Sequence, residues 1–225
     1  MNSYRNTLSA AAVTLLAAML LSACAGSNEQ RPGDLASSKM LTPDKSIGGA
    51  WLYRSPEANF SKYRTVMFDR VNVYQGPEAN FGDASTGEKQ RYAELVGKEM
   101  QRMVGEKYHV VTNPGPEVMR IRPTLIGVRP TVGGVATITR VIPMGAAINI
   151  VRGAAGAGGT MTGGIELAVE FYDSVSNKLL AGAVRQITPG AFDIEATLST
   201  EKTVESSGAE AGTAIREAMD RNIKK

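Results

Sequence analysis

No Asp, Glu, Lys, Arg or His stands between Asn6 and Asn28, and that uncharged run decides how much of the chain is left to fold. A single charge, Arg5, precedes it, and its apolar heart extends from Leu8 to Leu21 before small residues follow. A short basic start, an apolar stretch and a small-residue exit form the pattern of a secretory signal that is removed. The apolar part is shorter than the ~20 residues that normally span a bilayer as a helix, so a retained transmembrane anchor is the weaker reading. Residues 1–23 are therefore expected to be cleaved.

The exit reads Leu21-Ser22-Ala23-Cys24. It resembles the lipobox of bacterial lipoproteins, in which a cysteine is diacylated on sulfur and the chain is then cut in front of it. A thiol suits this chemistry as the strongest nucleophile available to accept the diacylglyceryl group. Cys24 is the only cysteine in the chain, so it has no disulfide partner, and a free thiol in an oxidising compartment is a liability. The competing reading is a conventional signal cleaved nearby, with Cys24 a stray thiol. Several acyl chains of the palmitate kind on one residue make a stable anchor, where one chain gives only marginal binding. Position 25 is Ala rather than Asp, which by resemblance to enterobacterial sorting rules implies the outer membrane of a Gram-negative bacterium, facing the periplasm.

Cleavage leaves 225 − 23 = 202 residues and lowers the formal charge from +3 to +2, because only Arg5 is lost. No Lys- or Arg-rich run marks a nucleic-acid footprint. Without disulfides the mature fold stands on its hydrophobic core, and about 160 ordered residues suffice for one ordinary domain. Residues 24–58 are expected to be the lipidated terminus and a tether, since they are rich in Ser, Gly, Pro, Asn and charge. Trp51, Leu52 and Tyr53 interrupt that composition. They either dock onto the domain and end the tether or form an exposed patch.

The domain is expected over 59–225. Tyr63 to Tyr74 is dense in β-branched and aromatic residues and predicts a strand. Tyr92, Leu95, Val96, Met100, Met103 and Val104 recur at helical spacing, predicting a helix over Gly87 to Glu106 with a Ser85/Glu88 capping box. Its two methionines read as core rather than ligands. A short strand is predicted at Tyr108 to Thr112 and a longer one at Val118 to Val128. Pro123 has no N–H for a ladder, which predicts an edge position or a bulge there. Ile165 to Tyr172 alternates, with Ile165, Leu167, Val169 and Phe171 on one face, and pairs as a hairpin with Lys178 to Ile187. A second helix is predicted over Thr200 to Asn222, with Gly208, Ala211 and Gly212 small enough for close approach to the sheet. The expected architecture is α+β in two layers: a mostly antiparallel sheet of about five strands with two helices packed on one face.

Chemistry is sparse. The Gly-rich stretch at 143–164 lacks both the third glycine of a dinucleotide loop and the lysine of a P-loop. It reads either as a short helix from Pro143 followed by a linker, or as a segment that inserts into a partner or the bilayer surface. Arg120 and Arg122 with Glu166 and Glu170 form a second candidate. Cross-strand ion pairs worth ~0.2–1 kcal/mol each account for them without a site, and an acidic base beside an anion-binding arginine is the functional alternative. His109 is the only histidine and stands without a nucleophile motif, so a strand-end polar role is expected. One His and no free Cys do not make a common zinc site. No catalytic, cofactor-binding or metal-binding residue is expected; lipidation at Cys24 is the single assigned modification.

The lipobox, Ser61-Lys62-Tyr63 leading into Val66-Met67 and Asp69-x-Val71, Arg129-Pro130, the Gly-rich stretch, and Glu170-x-x-Asp173-Ser174 before Leu179-Leu180-Ala181 together are similar to bacterial lipoproteins of domain of unknown function 3313. The resemblance spans about Leu41 to Ile223. It implies an envelope lipoprotein with a single α/β domain and no established activity, and it carries over no catalytic residue. The expected role is a lipid-anchored, non-enzymatic interaction module that contacts the membrane through its anchor and meets an envelope protein or a second copy of itself. The alternatives are a ligand binder or enzyme using the Arg/carboxylate face, and an oligomer assembled through 143–164.

Overall fold

The computed structural model describes residues 31–44, 49–130, 163–190 and 193–223. The signal segment, Cys24 and the Gly-rich stretch up to residue 162 lie outside them. Strands β1 (Thr42–Asp44) and β2 (Ala50–Arg54) come first, followed by a 3-10 turn (Phe60–Lys62), β3 (Thr65–Phe68) and β4 (Asn72–Val73). Helix α1 (Thr86–Gly105), β5 (His109–Val110), β6 (Val118–Arg129), β7 (Gly164–Asp173) and β8 (Leu179–Ile187) follow. A second 3-10 turn (Glu195–Thr197) leads into helix α2 (Thr200–Ile223).

These strands form one eight-stranded sheet in the order β1-β2-β8-β7-β6-β3-β5, with β4 also paired to β6. The expectation of about five, mostly antiparallel strands needs correction. β3 and β4 run parallel to β6, and β5 runs parallel to β3. The helix α1 is the reason, because a helical crossover returns the chain in its original direction, whereas a tight hairpin reverses it. The other pairings are antiparallel. Two further strands come from the segment read as tether: β1 pairs with β2, and β2 pairs with β8 through Trp51↔Val184 and Leu52↔Ala183. Trp51 and Tyr53 pack into a core cluster with Val184 and Ala168, so the apolar clump docks.

The single strand expected over Tyr63 to Tyr74 breaks into β3 and β4. Phe68 pairs with Ile121 and Asn72 with Thr124, so β3–β4 uses one more residue than β6 over that interval. An extra residue on one strand is accommodated as a bulge that re-aims a side chain. Here it comes after Asp69 and brings Val71 and Val73 back to the helix side, where Phe68 also packs. The same break resolves Pro123. The carbonyls of Ile121 and Leu125 accept from the Asp69 and Tyr74 N–H groups, so alternation turns the Pro123 nitrogen toward the same side, where the neighbouring strand is interrupted. β6 is thus a central strand, not an edge. Its ladder with β7 is irregular elsewhere, between Leu125 and Gly127.

Helix α1 begins as the spacing indicates. The Glu88 N–H donates to the Ser85 side-chain oxygen at 3.3 Å, and the Ser85 N–H donates to the Glu88 carboxylate at 2.8 Å, a capping box that satisfies two otherwise unpaired donors. Tyr92, Val96, Met100 and Val104 face the main core with Ile121, Leu125, Leu167 and Val169, joined by Val204, Ala211, Ile215 and Met219 of α2. Both helices therefore cover one face of the sheet, in parallel, as the pairs Arg91–Glu201 and Lys107–Asp220 at their opposite ends require. Gly208 and Gly212 serve this helix pair rather than the sheet. A Cβ at Gly208 stands 3.0 Å from the Val96 Cα, and one at Gly212 stands 2.7 Å from the Met103 Cβ and 2.9 Å from the Met100 carbonyl oxygen.

That approach makes a direct prediction. Gly212→Ala adds helix propensity of ~1 kcal/mol, yet the new methyl has nowhere to go, and overpacking of this kind costs about 1–3 kcal/mol. Urea unfolding should show a net loss of stability with an unchanged m-value. A gain would mean that the helices separate freely.

Candidate functional site

The face of the sheet opposite the helices carries the charged residues picked out by sequence. Asp69, directly after β3, accepts from Arg120 Nε at 2.8 Å and from Arg122 Nε at 2.9 Å. Burial raises the Asp69 carboxyl, but the two guanidinium hydrogen bonds outweigh it and hold the group below the ordinary carboxylate range. Arg120 also donates to the Asn177 side-chain carbonyl at 3.0 Å, and Arg122 lies over the Tyr172 ring at 4.7 Å. The arginines are therefore drawn together by a carboxylate that the spacing argument did not pair with them. The Asp69-x-Val71 motif carried the residue, but its place beside the arginines follows from the parallel pairing of β3 with β6, which is a tertiary event.

Glu170 takes a different part. It is 4% exposed, and its two oxygens accept from the Ser37 N–H at 2.7 Å and the Tyr172 hydroxyl at 2.8 Å. Burial, then the Glu170 hydrogen bond, pushes the Tyr172 phenol up to about 12. Ser37 belongs to the segment at 31–41, which crosses this face. A Cβ on Gly182 stands 2.6 Å from the Ser37 Cβ, so a glycine there lets the segment press onto the sheet. Leu41 is buried against Ile126, Ala168 and Val184, and the Gly33 N–H donates to the Tyr74 hydroxyl at 3.1 Å. Glu166 sits opposite Gly127 and Gln186, further along the strands and away from the arginines.

At the hairpin end, Asp173 ties three elements. Its Oδ2 accepts from Lys62 Nζ at 2.8 Å and from the Tyr63 hydroxyl at 3.0 Å, while Oδ1 accepts from the Ser176 N–H at 2.9 Å. Lys62 first, then the Ser176 amide, hold this carboxyl well below the usual range against the opposing effect of burial. Ser174 accepts from the Gly115 N–H at 3.0 Å and donates to its carbonyl at 2.9 Å. The Ser61-Lys62-Tyr63 and Asp173-Ser174 motifs thus meet in space as a joint. His109 stands exposed at the start of β5, opposite Thr65.

Two depressions accompany these joints. A polar cleft of about 530 Å³ lies between α1 and the Asp69–Val71 break and is lined by Arg70, Glu94 and Lys98 among others, but not by Arg120, Arg122 or Glu170. An apolar groove of about 250 Å³ lies between α2 and the β2–β8 edge. Among the described residues, no three His, Cys, Asp or Glu side chains gather closely enough to hold a metal ion. No helix among them is long and apolar enough to cross a membrane.

The arrangement is that of a mixed α+β domain whose charged residues are engaged with one another. The chain belongs to the family described as "Protein of unknown function (DUF3313)", whose model matches residues 31–212. No curated protein matches it in sequence. Among solved structures, the PelC dodecamer from Paraburkholderia phytofirmans is similar at 6% identity and a TM-score of 0.36, covering 72% of this chain and 96% of that one. A DUF4136 family protein from Bacteroides thetaiotaomicron is similar at 8% identity and a TM-score of 0.34, covering 77% and 96%. A Xanthomonas campestris protein of family DUF330 gives 6% identity and a TM-score of 0.34, covering 76% and 94%. At such low scores these likenesses carry no functional conclusion.

The joints make two predictions. Asp69 and Asp173 both have lowered folded-state pKa values, so each contributes stability that is complete above the unfolded value of ~3.9 and is lost as pH falls through the folded one. Urea midpoints should stay flat from neutrality to about pH 5 and then decline. Asp173→Asn should cost about 2 kcal/mol at neutral pH and flatten the acid limb. Glu170→Ala leaves the Ser37 N–H without its acceptor, and hydrogen exchange at Ser37 and its neighbours should quicken roughly tenfold while the hairpin stays protected.

Proposed function

We propose that this chain is a lipid-anchored envelope protein, held through acylated Cys24 at the outer membrane and facing the periplasm, that works by contact with other proteins rather than by catalysis. The observation that carries the anchor is the uncharged run from Asn6 to Asn28 ending on the only cysteine of the chain. The structure bears on the distance. The described domain begins at Arg31, so residues 25–30 alone separate it from Cys24. Fully extended, that stretch reaches only about 20–25 Å. A domain so tethered stays beside the membrane that holds it.

The contact reading is supported by what the charged residues do. Arg120 and Arg122 are occupied by Asp69, and Glu170 by Ser37 and Tyr172, which leaves a positioned acid, base or nucleophile without support. Ile194 and Leu198, 58% and 67% exposed, flank the turn before α2 and offer apolar surface to a partner.

Growth with a clickable palmitate analogue tests the anchor: the wild-type protein should carry label and Cys24→Ser should carry none. An unlabelled wild type would remove the anchor and the location with it. A photocrosslinker at Leu198 in living cells should give a discrete adduct, of doubled mass if the partner is a second copy. Absence of any adduct would count against the contact reading.

A further inference from the structure

The helical layer is narrower than the sheet it covers. Seven strands lie side by side, which at ~4.8 Å each is about 34 Å, whereas two helices of ~10 Å span about 20 Å. Helix α2 lies over β7 and β8, and α1 over β4 and β5, so on this face neither of the two described helices roofs β2. The result is the groove between α2 and β2–β8. Leu52, Phe60, Phe171, Ala183, Ile215 and Met219 give it an almost wholly apolar lining. Leu52 remains 39% exposed in it.

Its width and lining suit a row of methylenes: about 250 Å³ of narrow apolar space lies along β8 under α2. One end of the groove is cationic, and a second guanidinium lies beyond the other end of its lining. Arg54 lines it at one end, stacked over the Phe60 ring at 4.6 Å and donating to the Asn222 side-chain carbonyl at 2.6 Å, both uncharged partners. The floor strand β8 presents Ala181 and Ala183 to the groove, and by alternation Arg185 is the next side chain on that face. The Arg185 Nε is buried and has no hydrogen-bond partner among the described residues. A buried guanidinium nitrogen without an acceptor is costly unless something supplies one.

We propose that this groove binds a single-chain amphiphile with an anionic head, its alkyl chain lying along Ala181–Ala183 under α2 and its head held by Arg54 or Arg185. A free fatty acid and a lysophospholipid share that chemistry. The site is independent of Cys24 and of the polar face.

The test uses the protein purified from the cells that make it and kept in amphipol, so that no detergent competes. Dodecanoate and lysophosphatidylglycerol, each with a diazirine at the chain end, are photocrosslinked and the adducts mapped by peptide. Saturable labelling of the peptides holding Ala181–Ala183 or Ile215–Met219 is expected from at least one probe, and which probe labels identifies the source. Ala183→Phe fills the groove and should cut the yield at least tenfold. Ala218→Leu, which fills it from the helix side, serves if the first variant melts early. Arg54→Gln or Arg185→Gln should raise the half-saturating concentration about tenfold, and an alcohol probe of equal length should bind as weakly as that variant. Labelling that ignores both filling variants, or that neither arginine affects, would overturn the proposal. So would crosslinks from the groove peptides to a second copy of the chain.

Discussion

The rest of the domain depends on β6 being hydrogen-bonded along both edges. On one side it pairs with β7 from Met119↔Asp173 to Arg129↔Gly164. On the other it takes β3, then β4, and finally a bridge from Asn80 to Gly127. A strand paired twice fixes the register of both neighbours, and a slip by one residue would turn every buried side chain to the wrong face. Pro123 is compatible with this position because the missing donor falls where β3 has ended and β4 has not begun. Just before the interruption, regular alternation from Met67 sets Asp69 on the same face as Arg120 and Arg122.

The charged residues of the sheet work as joints between elements distant in sequence. Asp69 links the β3–β4 break to β6, Asp173 links the first 3-10 turn to the β7–β8 hairpin, and Glu170 holds the segment at 31–41 on the sheet. Partly buried carboxylates with two or more donors each are costly to strip of a partner, because the remaining group then loses both solvent and its mate. That accounts for how these motifs cooperate in holding the fold together. The helix face carries the opposite imbalance: apolar surface beyond what the two described helices cover, with Arg54 at one end.

Elements whose stabilising contacts are local were legible in the sequence. The Ser85/Glu88 box marks the start of α1, the alternation of Ile165, Leu167, Val169 and Phe171 assigns the core face of β7, and Asp173 to Asn177 forms the turn that the polar run indicates. Contacts made across the sheet were not. Thr42–Asp44 is too short and polar, and Ala50–Arg54 too short, to stand out as strands; they become strands because β8 offers β2 an edge and β2 offers one to β1. Arg120 and Arg122 were legible as a pair on one face, whereas their carboxylate partner depends on β3 pairing beside β6. Gly208 and Gly212 were legible as a small surface; that α1 rather than the sheet fills it follows only from the parallel alignment of the helices.

By itself, the sequence determined what nearest-neighbour chemistry dictates: an uncharged apolar run ending on a lone thiol, two amphipathic helices, a hairpin, and a chain that must fold without disulfides. Period and capping are properties of a few consecutive residues, so they are written locally. Tertiary structure alone decided the parallel pairing of β3, β4 and β5, the recruitment of the supposed tether into the sheet, and the gathering of Asp69, Arg120 and Arg122. It also decided that the sheet outgrows its two described helices and leaves an apolar groove with Arg54 at one end. Each of these depends on which edges and faces meet in space, and the spacing of residues along a chain does not encode that.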